Sequence, residues 1–413
     1  MKISVLGTTI RLVLTLCVLP SILQGQCLEN EGRLWNYDGT SCRNTVFTAV
    51  PFLRTVADAR SGAMGDAGIA ISTDANAMQF NASKLAFAKQ GMGFGISHTP
   101  WLQSTGFSNI SLTYLSGFTQ LGKGQALGFG FRYFSLGALP LVNTSGVPLN
   151  NGETNEVEFA IAYAKKFSHG FSAAITGKLI YSDLAEGIVL TGGNVATAET
   201  VGALDLSFTY QTPLSLPNLE SGLRLGLAFS NLGSKIAYSN SSTKEYLPGN
   251  VGLGAAWEMK LDDRNALTLT ADVNKLMVPT PCRDSGANCD RNGNGIPDFK
   301  EFSPLSGVFQ SFGDAPEGFY EETQELLYSL GLEYWFNQQF ALRGGYFSES
   351  LTKGSRKYIT MGMGLKYQSM GFNLSYLRMV EIPGNPINNT WRFSLLFDFD
   401  FTFIRERKQL GAG

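Results

Sequence analysis

From about Gly91 to Phe399 the chain alternates, residue by residue, between large apolar side chains and small or polar ones. In ALGFGFRYF, Leu127, Phe129, Phe131 and Tyr133 share one face, while Gly128, Gly130 and Arg132 share the other. EVEFAIAYA, GLRLGLAFS, YITMGMGLKY and TWRFSLLFDF repeat the pattern. Period two is the signature of a β-strand. The mid-segment charges Arg132, Glu158, Lys178, Asp205, Arg224, Asp272, Glu333, Arg343, Lys366 and Arg392 all keep to the phase opposite the large apolar residues. Lipid imposes that constraint, because Arg or Lys on a lipid-facing wall costs roughly 2–4 kcal/mol at the bilayer midplane. Lys165, Lys275 and Arg378 break phase, and each is placed near a strand end. A soluble sandwich also alternates but needs a charged, solvated face. Here the polar phase is mostly Gly, Ala, Ser and Thr, and charged residues are only 16% of the chain, against roughly a quarter in ordinary soluble proteins.

The connections support the same architecture. About fourteen strand segments are joined by alternately short and long links, as in barrels with periplasmic turns and extracellular loops. One link, TPLSLPNLES, is longer than its periplasmic place predicts. Tyr133, Tyr163, Trp257 and Tyr367 suit an aromatic girdle at the interfaces. The expected fold is all-β: a transmembrane antiparallel barrel over 91–400, integral to a bacterial outer membrane, with a periplasmic tail over 401–413.

Residues 1–25 read as a signal peptide, with Lys2 and Arg11 ahead of the apolar run LVLTLCVLPSIL. Residues 26–90 form an N-terminal extension. Its GDAGIAISTDANAMQFNASKLAF stretch is compact and small-residued, suited to filling a barrel as a hatch. Four cysteines remain after the signal and fall into two local pairs, Cys27 with Cys42 and Cys282 with Cys289, expected as disulfides in an exported protein.

Catalytic signatures are missing, and the chain is not expected to be an enzyme. It has two histidines: His98, placed in a surface loop, and His169, in a tight turn. Neither sits beside an obvious nucleophile. Glu156 and Glu158 are expected to balance Arg132 or Lys178 in the lumen. A net charge of −2 gives no electrostatic reason to bind nucleic acid.

The longest link, 277–325, is expected as an extracellular loop. Within it, DRNGNGIPDFKE spaces Asp290, Asn292, Asn294, Ile296 (by its carbonyl), Asp298 and Glu301 as a calcium loop does, with Gly295 at the sharp turn. Calcium takes six to eight hard oxygens, and two Asn in place of Asp predict weak affinity, roughly 10⁻⁴–10⁻³ M. The following PEGFYEETQEL, with Glu317, Glu321, Glu322 and Glu325, is expected as a solvated surface helix.

DANAMQFNASKLAFAKQGMGFGISHTPWL resembles the hatch and first strand of the FadL-like outer-membrane barrels, which have fourteen strands and an N-terminal segment folded into the lumen. More closely, VPFLRTVADARSGAMGDAGIAISTDANAMQFNASKLAF followed by SHTPWL resembles the PorV (LptO) family of the type IX secretion system. The resemblance makes Asp74, Asn76, Met78, Phe80, Asn81 and Leu85 the candidate hatch residues. Asn81 would open an Asn-Pro-Ala-x-Leu motif, but this chain reads Asn81-Ala82-Ser83-Lys84-Leu85, without the proline. The family implies a shuttle that meets the SprA/Sov translocon, collects secreted cargo proteins through their C-terminal domain and delivers them to the PorU sortase. Its outer wall would be covered by outer-membrane lipid. The alternative is a FadL-type passive channel for hydrophobic compounds, with Met64, Met78, Phe80 and Phe87 lining an apolar pocket. A lipid-modifying enzyme finds little support.

Overall fold

The strands predicted by alternation close on themselves in a computed structural model of the chain. It describes residues 28–30, 33–35, 44–101, 110–139, 152–183, 195–217, 219–239, 244–282, 289–380 and 387–399. The signal peptide, the Cys27–Cys42 pair and the C-terminal tail lie outside the described residues.

β1 (Leu28–Asn30) and β2 (Arg33–Trp35) form a small antiparallel ribbon. The barrel follows: β3 (Met92–Pro100), β4 (Ser111–Gly122), β5 (Gln125–Leu139), β6 (Gly152–Lys166), β7 (Phe171–Asp183), β8 (Glu199–Leu216) and β9 (Leu219–Gly233). Its second half is β10 (Asn250–Lys260), β11 (Asn265–Leu276), β12 (Leu326–Phe336), β13 (Phe340–Ser348), β14 (Lys357–Tyr367), β15 (Met370–Met379) and β16 (Thr390–Phe399). Each strand pairs antiparallel with its sequence neighbour, and β16 closes onto β3, Phe393 opposite His98 through Phe399 opposite Met92. Closure leaves no free sheet edge around the ring, which is what spanning a bilayer demands.

Side-chain phase holds around the ring. Phe129, Phe159, Ile161, Leu330, Met361 and Phe393 are exposed on the outside, while Arg132, Glu158, Asp272, Glu333, Arg343 and Arg392 are buried inside. Register places inward charges opposite one another, Arg132 against Glu158 and Glu333 against Arg343. Lys165, Lys275 and Arg378 all lie near strand ends, as expected, and Lys275 is buried there.

Links of a few residues at 123–124, 167–170, 217–218, 261–264, 337–339 and 368–369 mark the periplasmic rim. The longer links lie at the opposite rim, which in outer-membrane barrels is the extracellular one. Most of the anomalous TPLSLPNLES is strand: β8 and β9 stay paired down to Leu216 opposite Leu219, so the link shortens and the alternation becomes regular. His98 is likewise in β3, not in a loop, 3.0 Å from Thr113 of β4.

Candidate functional site

Residues 44–90 pack against the inward face of the strands in short turns: Pro51–Arg54, Ala59–Gly62, Ala77–Phe80 and Ala82–Phe87. None is long, because Gly and Asn interrupt the Ala-rich stretch, and side chains cap the pieces. The Asp58 carboxylate accepts from the Ser61 N–H at 2.9 Å. Asn81 accepts from the Ser83 N–H at 3.1 Å and starts the Ala82–Phe87 turn without the family's proline.

Polar contacts tie this segment to the wall on every side. Arg60 donates to both oxygens of Glu333 at 2.9 and 2.7 Å and to Asp74 at 3.0 Å, and Arg343 donates to the same Glu333 at 2.7 Å. The Gly68 and Ile69 N–H groups converge on Asp272 at 2.7 and 2.9 Å. Arg132 donates to the Phe52 and Leu53 carbonyls and Arg392 to that of Val56. Asn81 donates to Thr209 of β8, and Ser116 of β4 to Asn76. Glu333, Asp272, Arg132 and Arg392 thus each answer an otherwise unsatisfied backbone group or a counter-charge in the segment.

Apolar contacts complete the fit. Met78 and Leu85 share a buried cluster with Ala75, Ala77, Ala82, Ala86, Phe118 and the lumen-facing alanines of β5–β7. Gly65 (φ +66°) enters the left-handed region and reaches the wall where Gly345 has no side chain. A Cβ on Gly345 would lie 2.0 Å from the Gly65 nitrogen. Of the residues considered for one apolar pocket, Met64 lies against Gly331, Met78 against Gly128, Phe80 over Gly68 and Phe87 under Lys166. Each packs against a different neighbour.

Only one of the paired lumen glutamates behaves as expected. Glu158 lies 3.7 Å from Arg132 and 4.0 Å from Lys178, while Glu156 accepts from Ser182 at 2.7 Å.

The extracellular insert contradicts its predicted solvation. Glu321 is buried and pairs with Lys353 at 2.6 Å, and Glu325 pairs with Lys353 at 2.9 Å and with Lys275 at 2.5 Å. Glu322 also reaches Lys275, at 3.0 Å. Asn44, where the chain enters the lumen, donates to Glu321 at 2.8 Å. The acidic stretch is therefore a clamp joining the insert, the 349–356 link and the start of the interior segment. Burial, with repulsion from Glu322 and Glu325, pushes the Asp314 carboxyl up to about 6, against the Thr280 bonds that lower it. Charges turned inward leave the apolar side out: Leu305, Phe309, Phe312, Phe319 and Tyr320 are 53–83% exposed.

The remainder of the insert is anchored by the Cys282–Cys289 disulfide and by Tyr246, whose hydroxyl donates to the Phe299 and Phe302 carbonyls. In the calcium-like loop, Asp290 accepts from the N–H groups of Gly293, Asn294 and Gly295 at 2.7, 3.1 and 2.7 Å. Asn294 accepts from Ile296 N–H, Asp298 from Arg291 N–H, and Glu301 from the side-chain amides of Asn292 and Asn294. The oxygens are of the right hard type and the loop curls around them. Among the described residues, no three Asp, Glu, His or Cys side chains gather as a metal cluster.

A closed barrel with an apolar outer wall, charged residues turned inward and lumen contacts from its N-terminal segment defines an integral outer-membrane protein. Residues 39–283 match the sequence model of the family described as "Type IX secretion system protein PorV". The match spans more than half of the 413 residues, and the chain belongs to the PorV family. No curated protein matches it. Among solved structures it is similar to the Ralstonia pickettii toluene transporter TbuX, with 10% identity, a TM-score of 0.45 and coverage of 84% of this chain and 99% of that one. It is also similar to the Pseudomonas putida toluene transporter TodX (11%, 0.43, 81% and 95%) and the CymD monoaromatic hydrocarbon channel (13%, 0.46, 83% and 98%).

The sequence pointed to the inward charges and the second disulfide. It gave no signal for Asn44, Lys353, Asp58 or the Arg356–Glu349 pair, whose partners lie on other elements.

Proposed function

We propose that the chain is a non-enzymatic shuttle of the type IX secretion system: it binds cargo proteins through their C-terminal domain at the SprA/Sov translocon and passes them to the PorU sortase. The observation that carries this reading is membership of the PorV family. Two features support it over a passive channel for hydrophobic compounds. The interior segment acts as a hatch, bonded to the wall on all sides, with Met64, Met78, Phe80 and Phe87 packed against different neighbours. The exposed aromatic side of the insert offers a docking face outside the cell, since large exposed apolar patches mark interaction surfaces.

Complementation tests the docking face. In cells lacking the protein, a Phe309→Ser, Phe319→Ser double variant should assemble in the outer membrane yet leave cargo unprocessed in the periplasm. Normal cargo display would remove the insert from the mechanism. Calcium is a subsidiary proposal: the ion would draw Asp290, Asp298 and Glu301 together with Asn292, Asn294 and the Ile296 carbonyl, stiffening the insert. Calorimetry on the full chain should then show binding at roughly 10⁻⁴–10⁻³ M that Asp290→Ala abolishes; identical heats for both proteins would rule the site out.

A further inference from the structure

Between the interior segment and the wall formed by β9–β14 lies a cavity of about 120 Å³. Asn231, Asn250 and Leu327, at or near the extracellular ends of their strands, line its upper part, with Arg356 just before β14. Arg54, from the interior segment, lines it as well.

The cationic groups around this space have partners, with one exception. Arg356 is held by both oxygens of Glu349 at 2.6 and 3.1 Å. Arg60 and Arg343 share Glu333, and Arg392 donates to the Val56 carbonyl and lies 3.5 Å from Asp66. The Arg54 guanidinium makes no hydrogen bond or ion pair with a described residue. Its charged and titratable neighbours are Arg356, Glu349 and Tyr358. Glu349 is occupied by Arg356, and Tyr358 donates its hydroxyl to Asp66 at 2.5 Å. The other carboxylate in the lining, Asp272, accepts from the Gly68 and Ile69 N–H groups at one oxygen, while its second oxygen has no hydrogen-bond partner among the described residues. Arg54 is therefore a positive charge without a partner among the described residues, in a sheltered polar space, and such a charge is costly without a counter-ion. Its forked N–H groups match an oxyanion. At about 30 Å³ per water, the cavity holds a few water molecules. That suits a phosphate-sized group and excludes a folded domain or a long acyl chain.

We propose that Arg54, with Arg356 beside it, binds one phosphate-sized oxyanion that enters from the extracellular rim. The anion is either a free ion or the head group of an outer-leaflet lipid. The site is independent of the shuttle reading and stands or falls without it.

The test is calorimetry on the full-length chain in a neutral detergent, with inorganic phosphate and then short-chain phosphatidic acid as probes. Wild-type protein should bind at least one of them saturably. Arg54→Gln should weaken binding at least about tenfold, the loss expected for a charge-assisted bond, and Arg54→Lys should retain part of it. Lys260→Gln, at an exposed lysine on the opposite rim, should bind as wild type. Tighter binding of phosphatidic acid assigns the anion to a lipid, and equal affinity assigns it to the free ion. Heat-modifiable gel migration confirms that each variant is folded. No saturable heat from either probe, or unchanged affinity in Arg54→Gln, overturns the site.

Discussion

Glu333 shows how single residues hold the interior segment in place. Two guanidiniums, Arg60 from the segment and Arg343 from the neighbouring strand, share its carboxylate in a buried setting. Removing one partner of a buried pair costs roughly 3–5 kcal/mol, because the remaining charge is stranded. Glu333→Gln should therefore lower the temperature of heat-modified gel migration markedly. Arg60→Met should cost less, since Arg343 still answers Glu333, and the two substitutions should be non-additive; additive losses would contradict a shared network. Half of this arrangement was legible in the sequence. The period-two phase places Glu333 and Arg343 inside the barrel, but nothing in the local pattern indicates that Arg60, far away in the chain, completes the trio. The Glu321–Lys353 pair failed for the same reason: the sequence showed an acidic run, and its lysines lie elsewhere, Lys353 on the 349–356 link and Lys275 in β11.

Among the elements, the interior segment and the extracellular insert differ in how they are held. The segment meets backbone with backbone at Gly65 and Gly345, so a methyl group there cannot be absorbed by a rotamer change. Gly345→Ala should displace the segment and raise conductance in planar bilayers above the wild-type level. Unchanged conductance would mean that the segment is not what closes the lumen. The insert is held by charge and should respond to pH. The Asp314 carboxyl is raised from an ordinary 3.8 to about 6, so the folded insert binds more protons than the unfolded one between those values. Its stability should rise as pH falls through 6, and proteolysis of the insert should be slower at pH 5.5 than at 7.5. Asp314→Asn should abolish that difference, whereas a persisting pH effect would assign it to other groups. Strands were the most legible elements because a lipid wall enforces their phase at every turn of the chain. The exception, TPLSLPNLES, contains prolines that read as a loop yet lies within the paired β8–β9 extension, where register continues past the neighbouring turn.

For the whole molecule, a closed outer wall surrounds a lumen crossed by its own N-terminal segment, and the long insert projects its aromatic side from one rim. The family match places the chain in type IX secretion, and the exposed aromatic side of the insert gives the proposed docking face. The most direct measurement is to extract the tagged chain from native outer membranes in mild detergent and identify what accompanies it by mass spectrometry. The shuttle account predicts a very large translocon barrel, a surface sortase and exported proteins that share a C-terminal domain. A barrel recovered alone, carrying only fatty acid or another apolar ligand, would contradict it.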